Sequence, residues 1–330
     1  MLNMTDFKRE FIDGCRKELR ASGASCCEIE ERNVSKAQRG ELNGLLFRRP
    51  DSCCAPTLYV EDFYDMYRRG TPLKKLSRQA VLSVISSLSE ADKLEKNSIF
   101  NAGRSFDGNL NVRLLSKRRN RKLLKTIPYR DLGCGLVLTA DWVYGDFRAM
   151  ITNELLEQTG LTRKQLFDDA LKSMSEREPA VLFRLSDAVL NMPGHGHNLL
   201  EDPGESDIPV SEHGPESRAD MSDADNAPLV LSNSSMYRGA AALFYPGVIE
   251  KIHAVLNDDY YIIPSSIHEL IIVSSADSDP EALTVMLRSA NKEVVAEDDV
   301  LDDDIYICRS GRISRASYGG VIPDTRHPVS

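Results

Sequence analysis

The sequence lacks the short motifs that announce most cofactor chemistry. It has no C-x-x-C pair, no His-Glu-x-x-His signature, no EF-hand loop and no glycine-rich loop of the kind that cradles phosphate. Structural zinc needs gaps that let two sulfurs face one ion, and nucleotide phosphates need a run of backbone amides, so neither site is encoded locally. Gly133-Cys134-Gly135 carries only a fragment of a dinucleotide fingerprint. No cofactor and no metal are therefore expected. Long apolar runs are missing too: none approaches the roughly 18 residues that span a bilayer. Met1 to Glu10 is polar, without the regions of a signal peptide. The expectation is a cytoplasmic protein with no membrane partner. Excess positive charge is also absent, since 41 Lys and Arg face 50 Asp and Glu for a net charge of -9. That balance disfavours capture of nucleic acid by charge alone. Seven cysteines, an odd number, read as reduced thiols rather than a disulfide framework.

What is present is well-punctuated secondary structure in a chain of 330 residues, long enough for about two domains. Phe7, Phe11, Ile12, Cys15 and Leu19 recur at helical spacing over Thr5 to Ala21. Cys26 to Ile29 and Leu42 to Phe47 form an expected antiparallel pair, and Thr57 to Val60 a third strand running into a helix over Glu61 to Arg69. Thr71-Pro72 opens a helix to Leu88. A strand over Asn111 to Leu115 precedes an expected basic helix from Lys117 to Ile127. Gly135 to Ala140 and Phe147 to Thr152 read as strands around a loop holding Trp142. Thr162 and Gln165 form a capping box that starts a helix to Ser175.

Residues 193–228 change character, with nine acidic residues, one arginine and few large apolar side chains. Such composition cannot bury enough surface to offset its ordering entropy, so a disordered acidic insert is expected. Beyond it come a strand at Leu229 to Leu231, a helix over Pro246 to Leu256, a hairpin pairing Tyr260 to Ile263 with Leu270 to Val273, a helix opened by Asp279-Pro280, and a last strand at Ile305 to Cys308. The fold class is α+β, with mixed or antiparallel sheets and flanking helices. The expected division is an N-terminal domain over 1–192, the insert over 193–228, a C-terminal unit over 229–308 and a flexible tail over 309–330. The two folded parts are allowed a shared core.

Three constellations carry chemistry. In Ser265-Ser266-Ile267-His268-Glu269, Ser266 is a candidate nucleophile, His268 its base and Glu269 an orienting acid. Against this, neighbours on a strand face opposite ways, and turn hydrogen bonding explains these residue types unaided. Arg118, Arg119, Arg121 and Lys122 lie within a basic cluster running from Arg113 to Arg130, suited to an acidic partner or, less well, to nucleic acid. A solvated helix face is the plainer account, and the acidic insert is a candidate to fold back on the cluster. Cys26-Cys27 and Cys53-Cys54, or His195, His197 and His213, are the remaining groups with ligand atoms. Buried free cysteines and solvated histidines explain them more simply.

Several segments together carry a resemblance. Asn43-Gly44-Leu45, Ala55 through Tyr64, Ile127 through Leu132, Ile151 through Leu156, and Gly239-Ala240-Ala241 through Pro264-Ser265-Ser266-Ile267-His268-Glu269 resemble a family of uncharacterised gut Firmicutes proteins known only as a domain of unknown function. The order of elements is also distantly similar to the YtpQ-like uncharacterised family. The resemblance implies a bacterial cytosolic protein and supplies no activity or ligand. The reading that follows is a non-enzymatic binding or regulatory protein, with a protein as the partner class considered. Hydrolysis through Ser266 and His268, and acidic-partner or nucleic-acid binding through the basic segment, are the alternatives.

Overall fold

The computed structural model describes residues 1–24, 26–50, 55–96, 109–144, 147–190, 198–201, 227–276 and 278–316. The chain divides into two compact units, Met1–Ser105 and Phe106–Ser330.

The first unit starts with α1 (Met4–Ala21), capped by Asn3, whose side chain accepts from the Asp6 amide. Its apolar stripe is the one the spacing predicts, Phe7, Phe11, Ile12, Cys15 and Leu19. Then follow β1 (Glu28–Lys36), β2 (Gly40–Arg48), β3 (Thr57–Tyr59), α2 (Val60–Arg68) and α3 (Leu73–Lys96). The strands form an antiparallel sheet in the order β1-β2-β3. Leu45 and Phe47 of β2, Val60 of α2, and Leu76, Ala80, Val81, Val84 and Leu88 of α3 join the α1 stripe in one core. Phe7 and Phe11 stack at 5.4 Å, and burying each ring contributes roughly 1.5–3 kcal/mol.

The second unit runs through β4 (Leu110–Ser116), a 3₁₀ turn (Leu123–Lys125), β5 (Tyr129–Asp131), β6 (Leu136–Tyr144), β7 (Phe147–Met150), α4 (Asn153–Thr159), α5 (Arg163–Arg177), β8 (Ala180–Arg184) and α6 (Leu185–Leu190). After the insert come β9 (Leu229–Asn233), a 3₁₀ helix (Gly239–Phe244), α7 (Val248–Leu256), β10 (Tyr260–Ile263), β11 (Leu270–Ser274), α8 (Pro280–Glu293), β12 (Tyr306–Arg309) and β13 (Arg312–Arg315). Strand β6 organises a four-stranded sheet, pairing with β4 along one edge and with β5 and β7 in succession. The other six strands form an antiparallel sheet in the order β13-β12-β10-β11-β9-β8. Both sheets supply apolar side chains to one core: Val112, Leu114, Leu136 and Leu138 from the first, and Leu182, Leu231, Tyr260, Ile262 and Tyr306 from the second. They share that core with Leu166, Phe167 and Met174 of α5. On the opposite face of the six-stranded sheet, Tyr261, Ile263 and Ile307 pack with Leu287 of α8.

The α+β class with antiparallel sheets and flanking helices agrees with the sequence reading. Four details differ. The expected break after residue 192 cuts through one sheet, because β8 pairs with β9 across the insert, and the division into compact units falls instead between Ser105 and Phe106. The basic stretch after β4 is a series of turns and one 3₁₀ turn in place of the expected helix, and Arg118 and Arg119 within it reach long-range acids at Asp302 and Asp303. Trp142 lies within β6. Two segments expected to be unstructured contribute ordered chain. The Asn198 side chain accepts from the Leu182 amide at 2.9 Å and anchors the turn 198–201 beside β8, and β13 adds an edge to the large sheet. Residues 193–197 and 202–226 of the insert and 317–330 of the tail lie outside the described residues.

Candidate functional site

The Ser265–Glu269 segment is the connection between β10 and β11, and its hydrogen bonds are those of a turn. Ser265 Oγ donates to the Glu269 carbonyl at 3.1 Å. Ser266 Oγ accepts from the His268 amide at 3.0 Å. His268 Nδ1 accepts from the Arg238 backbone N–H at 3.1 Å, and Nε2 meets Asp299 Oδ1 at 3.2 Å. An imidazole that accepts at Nδ1 carries its proton at Nε2, so the Asp299 contact takes that proton as a hydrogen bond. No lone pair is left to activate Ser266. No hydrogen bond among the described residues joins the Glu269 carboxylate to His268. The acid that meets the imidazole is Asp299, on the loop after α8, and no sequence spacing pointed to it.

His268 instead fixes a tight corner at the end of β9. Within residues 233–239, Met236 and Arg238 have φ of 54° and 55°, the left-handed region that ordinary side chains avoid. The surroundings hold them there. Asn233, fully buried, accepts from the Tyr237 amide at 3.2 Å and donates to the Tyr237 carbonyl at 3.1 Å and to Glu178 at 2.8 Å. Ser232 Oγ donates to the His268 carbonyl at 2.8 Å. Gly239 closes the corner against the hairpin. A Cβ there would stand 2.2 Å from Ser232 Oγ, 2.5 Å from the Asn233 nitrogen and 2.8 Å from the His268 oxygen.

The corner presents Tyr237 and Arg238 to the four-stranded sheet. Arg113 on β4 lies opposite Thr139, Asp141 is two residues along β6, and Arg148 on β7 lies opposite Val143. Strand alternation puts all three on one face. Arg238 pairs with Asp141 Oδ2 at 2.6 Å, and Arg113 binds that same oxygen. Asp141 is 2% exposed. Its Oδ1, with Arg113 Nε and Arg238 Nε, makes no hydrogen bond to another protein group. Arg148 and Arg238 stand 4.8 and 5.0 Å from the Tyr237 ring centroid, and His268 packs against that ring at 5.3 Å. Burial lowers the Arg238 pKa, and the like charges of Arg113 and Arg148 lower it further against the pull of Asp141.

The basic segment has a different fate. Arg118 pairs with Asp302 at 2.9 Å and Asp303 at 3.5 Å, and Arg119 approaches Asp303 at 3.6 Å. Asp302 is fully buried and also accepts from Ser116 at 3.2 Å and from Tyr306 at 2.6 Å. Burial, followed by the neighbouring Asp302, pushes the Tyr306 phenol up, so it stays a donor. Arg118 and Arg119 are thus built into a loop-to-loop ionic clasp, while Arg121 and Lys122 lie exposed. A recess of about 360 Å³ beside the clasp, lined by Arg119, Arg288, Lys292, Glu297 and Asp303, mixes both signs of charge. Cys15 and Cys27 are buried and Cys26 is exposed. Cys53, Cys54, His195, His197 and His213 lie outside the described residues.

The class defined by these observations is an α+β protein of two compact units, the second of which holds an arginine-rich corner around one buried carboxylate. The chain belongs to a family of unknown function, DUF5688, whose model matches residues 5–310. No curated protein and no solved structure matches it. Among the described residues, no helix is long and apolar enough to cross a membrane.

Proposed function

We propose that this is a non-enzymatic binding or regulatory protein whose contact element is the Tyr237–Arg238 corner. The engagement of both His268 ring nitrogens carries the reading. An imidazole used at one nitrogen to hold a backbone amide, and at the other to meet a carboxylate, supports a structural duty over proton transfer. Backbone strain held by buried partners tends to cluster at functional sites, and here it displays Tyr237, 39% exposed, beside Arg238. A bacterial, cytoplasmic setting, with a distant likeness to the YtpQ-like proteins, belongs to the same reading.

The test is a screen of the full chain for ester, phosphoester and peptide hydrolysis, with labelling by a serine-directed fluorophosphonate. The expected result is no turnover and no labelling of Ser266. Turnover that disappears in a folded His268→Ala protein would overturn the reading in favour of a hydrolase.

A further inference from the structure

We infer that Arg113, Arg148 and Arg238 form a receptor for the dianionic phosphate group of a small phosphate monoester. The inference rests on the corner being a binding element and names what it binds.

Charge carries the argument. Three guanidiniums gather here, close enough for Arg113 and Arg148 both to act electrostatically on Arg238. Among the described residues the one carboxylate ion-paired with them is Asp141, which bonds Arg113 and Arg238 through the same oxygen. Two positive charges are left over. That is the complement of a phosphate monoester above its second ionisation, at roughly pH 6. The other nearby acids are committed to partners of their own. Asp299 meets His268, and Glu178 accepts from Asn233 and from Ser235 at 2.6 Å. Neither lies within ion-pair distance of the three arginines.

Geometry supports the same ligand. A guanidinium is a planar fork of donors suited to phosphate oxygens, and several forks aimed at one region recognise a tetrahedral anion better than a point charge does. Arg113 and Arg238 are held in place by Asp141 and by the backbone of the corner, so little side-chain freedom is lost on binding. Arg148 is exposed, has no carboxylate partner among the described residues and rests against the Tyr237 ring, where it is free to close over an incoming oxygen. Gathering like charges without a ligand is unfavourable; burial first, and then the charges of Arg113 and Arg148, lower the Arg238 pKa, and a bound dianion relieves the repulsive part.

The experiment titrates inorganic phosphate and phenyl phosphate into the full chain, following arginine Nε–Hε resonances and thermal stability, with sodium chloride at matched ionic strength as the control. Saturable shifts with both phosphates and none with chloride are expected. Arg148→Gln, a surface change, weakens the affinity about tenfold, the effect of one charge-assisted contact. Absence of saturable phosphate binding, or an Arg148→Gln affinity equal to the parent's, overturns the proposal. The two readings fail separately. Turnover with intact phosphate binding sinks only the non-enzymatic reading, and loss of phosphate binding without turnover sinks only this one.

Discussion

Replacing Gly239 by alanine tests whether the corner is as tightly specified as its contacts indicate. The added Cβ would lie 2.2, 2.5 and 2.8 Å from three atoms, two of them backbone atoms of Asn233 and His268. No rotamer change moves a backbone atom, so β9 and the hairpin connection must separate. Overpacking of this kind costs about 1–3 kcal/mol. The Ser232–His268 hydrogen bond, displaced with it, adds about 1 kcal/mol. The total is roughly 2–4 kcal/mol. The single tryptophan, Trp142, lies on β6 in the same unit, so its fluorescence reports the relevant transition. With a urea slope of about 1–3 kcal/mol per molar, the midpoint falls by roughly 0.7 M or more. Gly160→Ala is the comparison, because its surroundings are open and only its φ of 70° opposes a side chain. A Gly239→Ala protein whose stability changes by less than about 0.5 kcal/mol would refute the reasoning.

Two further outcomes follow from single groups in the first unit. Burial, chiefly, raises the Cys15 pKa to about 12, so about one molecule in 10,000 carries the thiolate at pH 8. Iodoacetamide on the native protein should modify the exposed Cys26 well before Cys15, and equal rates measured by mass spectrometry would contradict the buried placement. For Glu61, burial alone would raise the pKa, but the Asn43 amides, donating at 3.0 and 2.7 Å, outweigh it and hold it below 4.5. Its stabilising contribution is therefore complete above pH 4.5 and is lost as pH falls through the lower folded value. Glu61→Ala should flatten the acid side of the stability profile of this unit, and an unchanged profile in acid titrations would count against the linkage.

The helices and hairpins were legible because their signals are local. The stripe from Phe7 to Leu19 and the Thr162–Gln165 capping box appear in the structure as the spacing predicts. The hairpin around Pro264 was legible for the same reason, and so was its turn chemistry. What stayed hidden depends on register between distant strands. Arg113, Asp141 and Arg148 share a face only once β4, β6 and β7 are paired. Arg238 joins them only because Asn233 and His268 hold it at positive φ. The basic segment misled in the same way. Its leucines kept helical spacing, while its arginines were destined for Asp302–Asp304, far along the chain.

The pairing of β8 with β9 also bears on what chain continuity does for this protein. The two strands are sheet neighbours although residues 185–228 separate them in sequence. Five residue pairs in register, with Leu182, Leu229 and Leu231 in a common core, hold them together. The covalent link is one tether among several cohesive forces, and two polypeptides divided between 201 and 227 retain the β8–β9 ladder and the core contacts of the described residues. Reassembly from such halves would lose translational and rotational freedom that the intact chain never has, about 4–15 kcal/mol. In that light the second unit is a complementation pair joined end to end, held together by the pairing of β8 with β9.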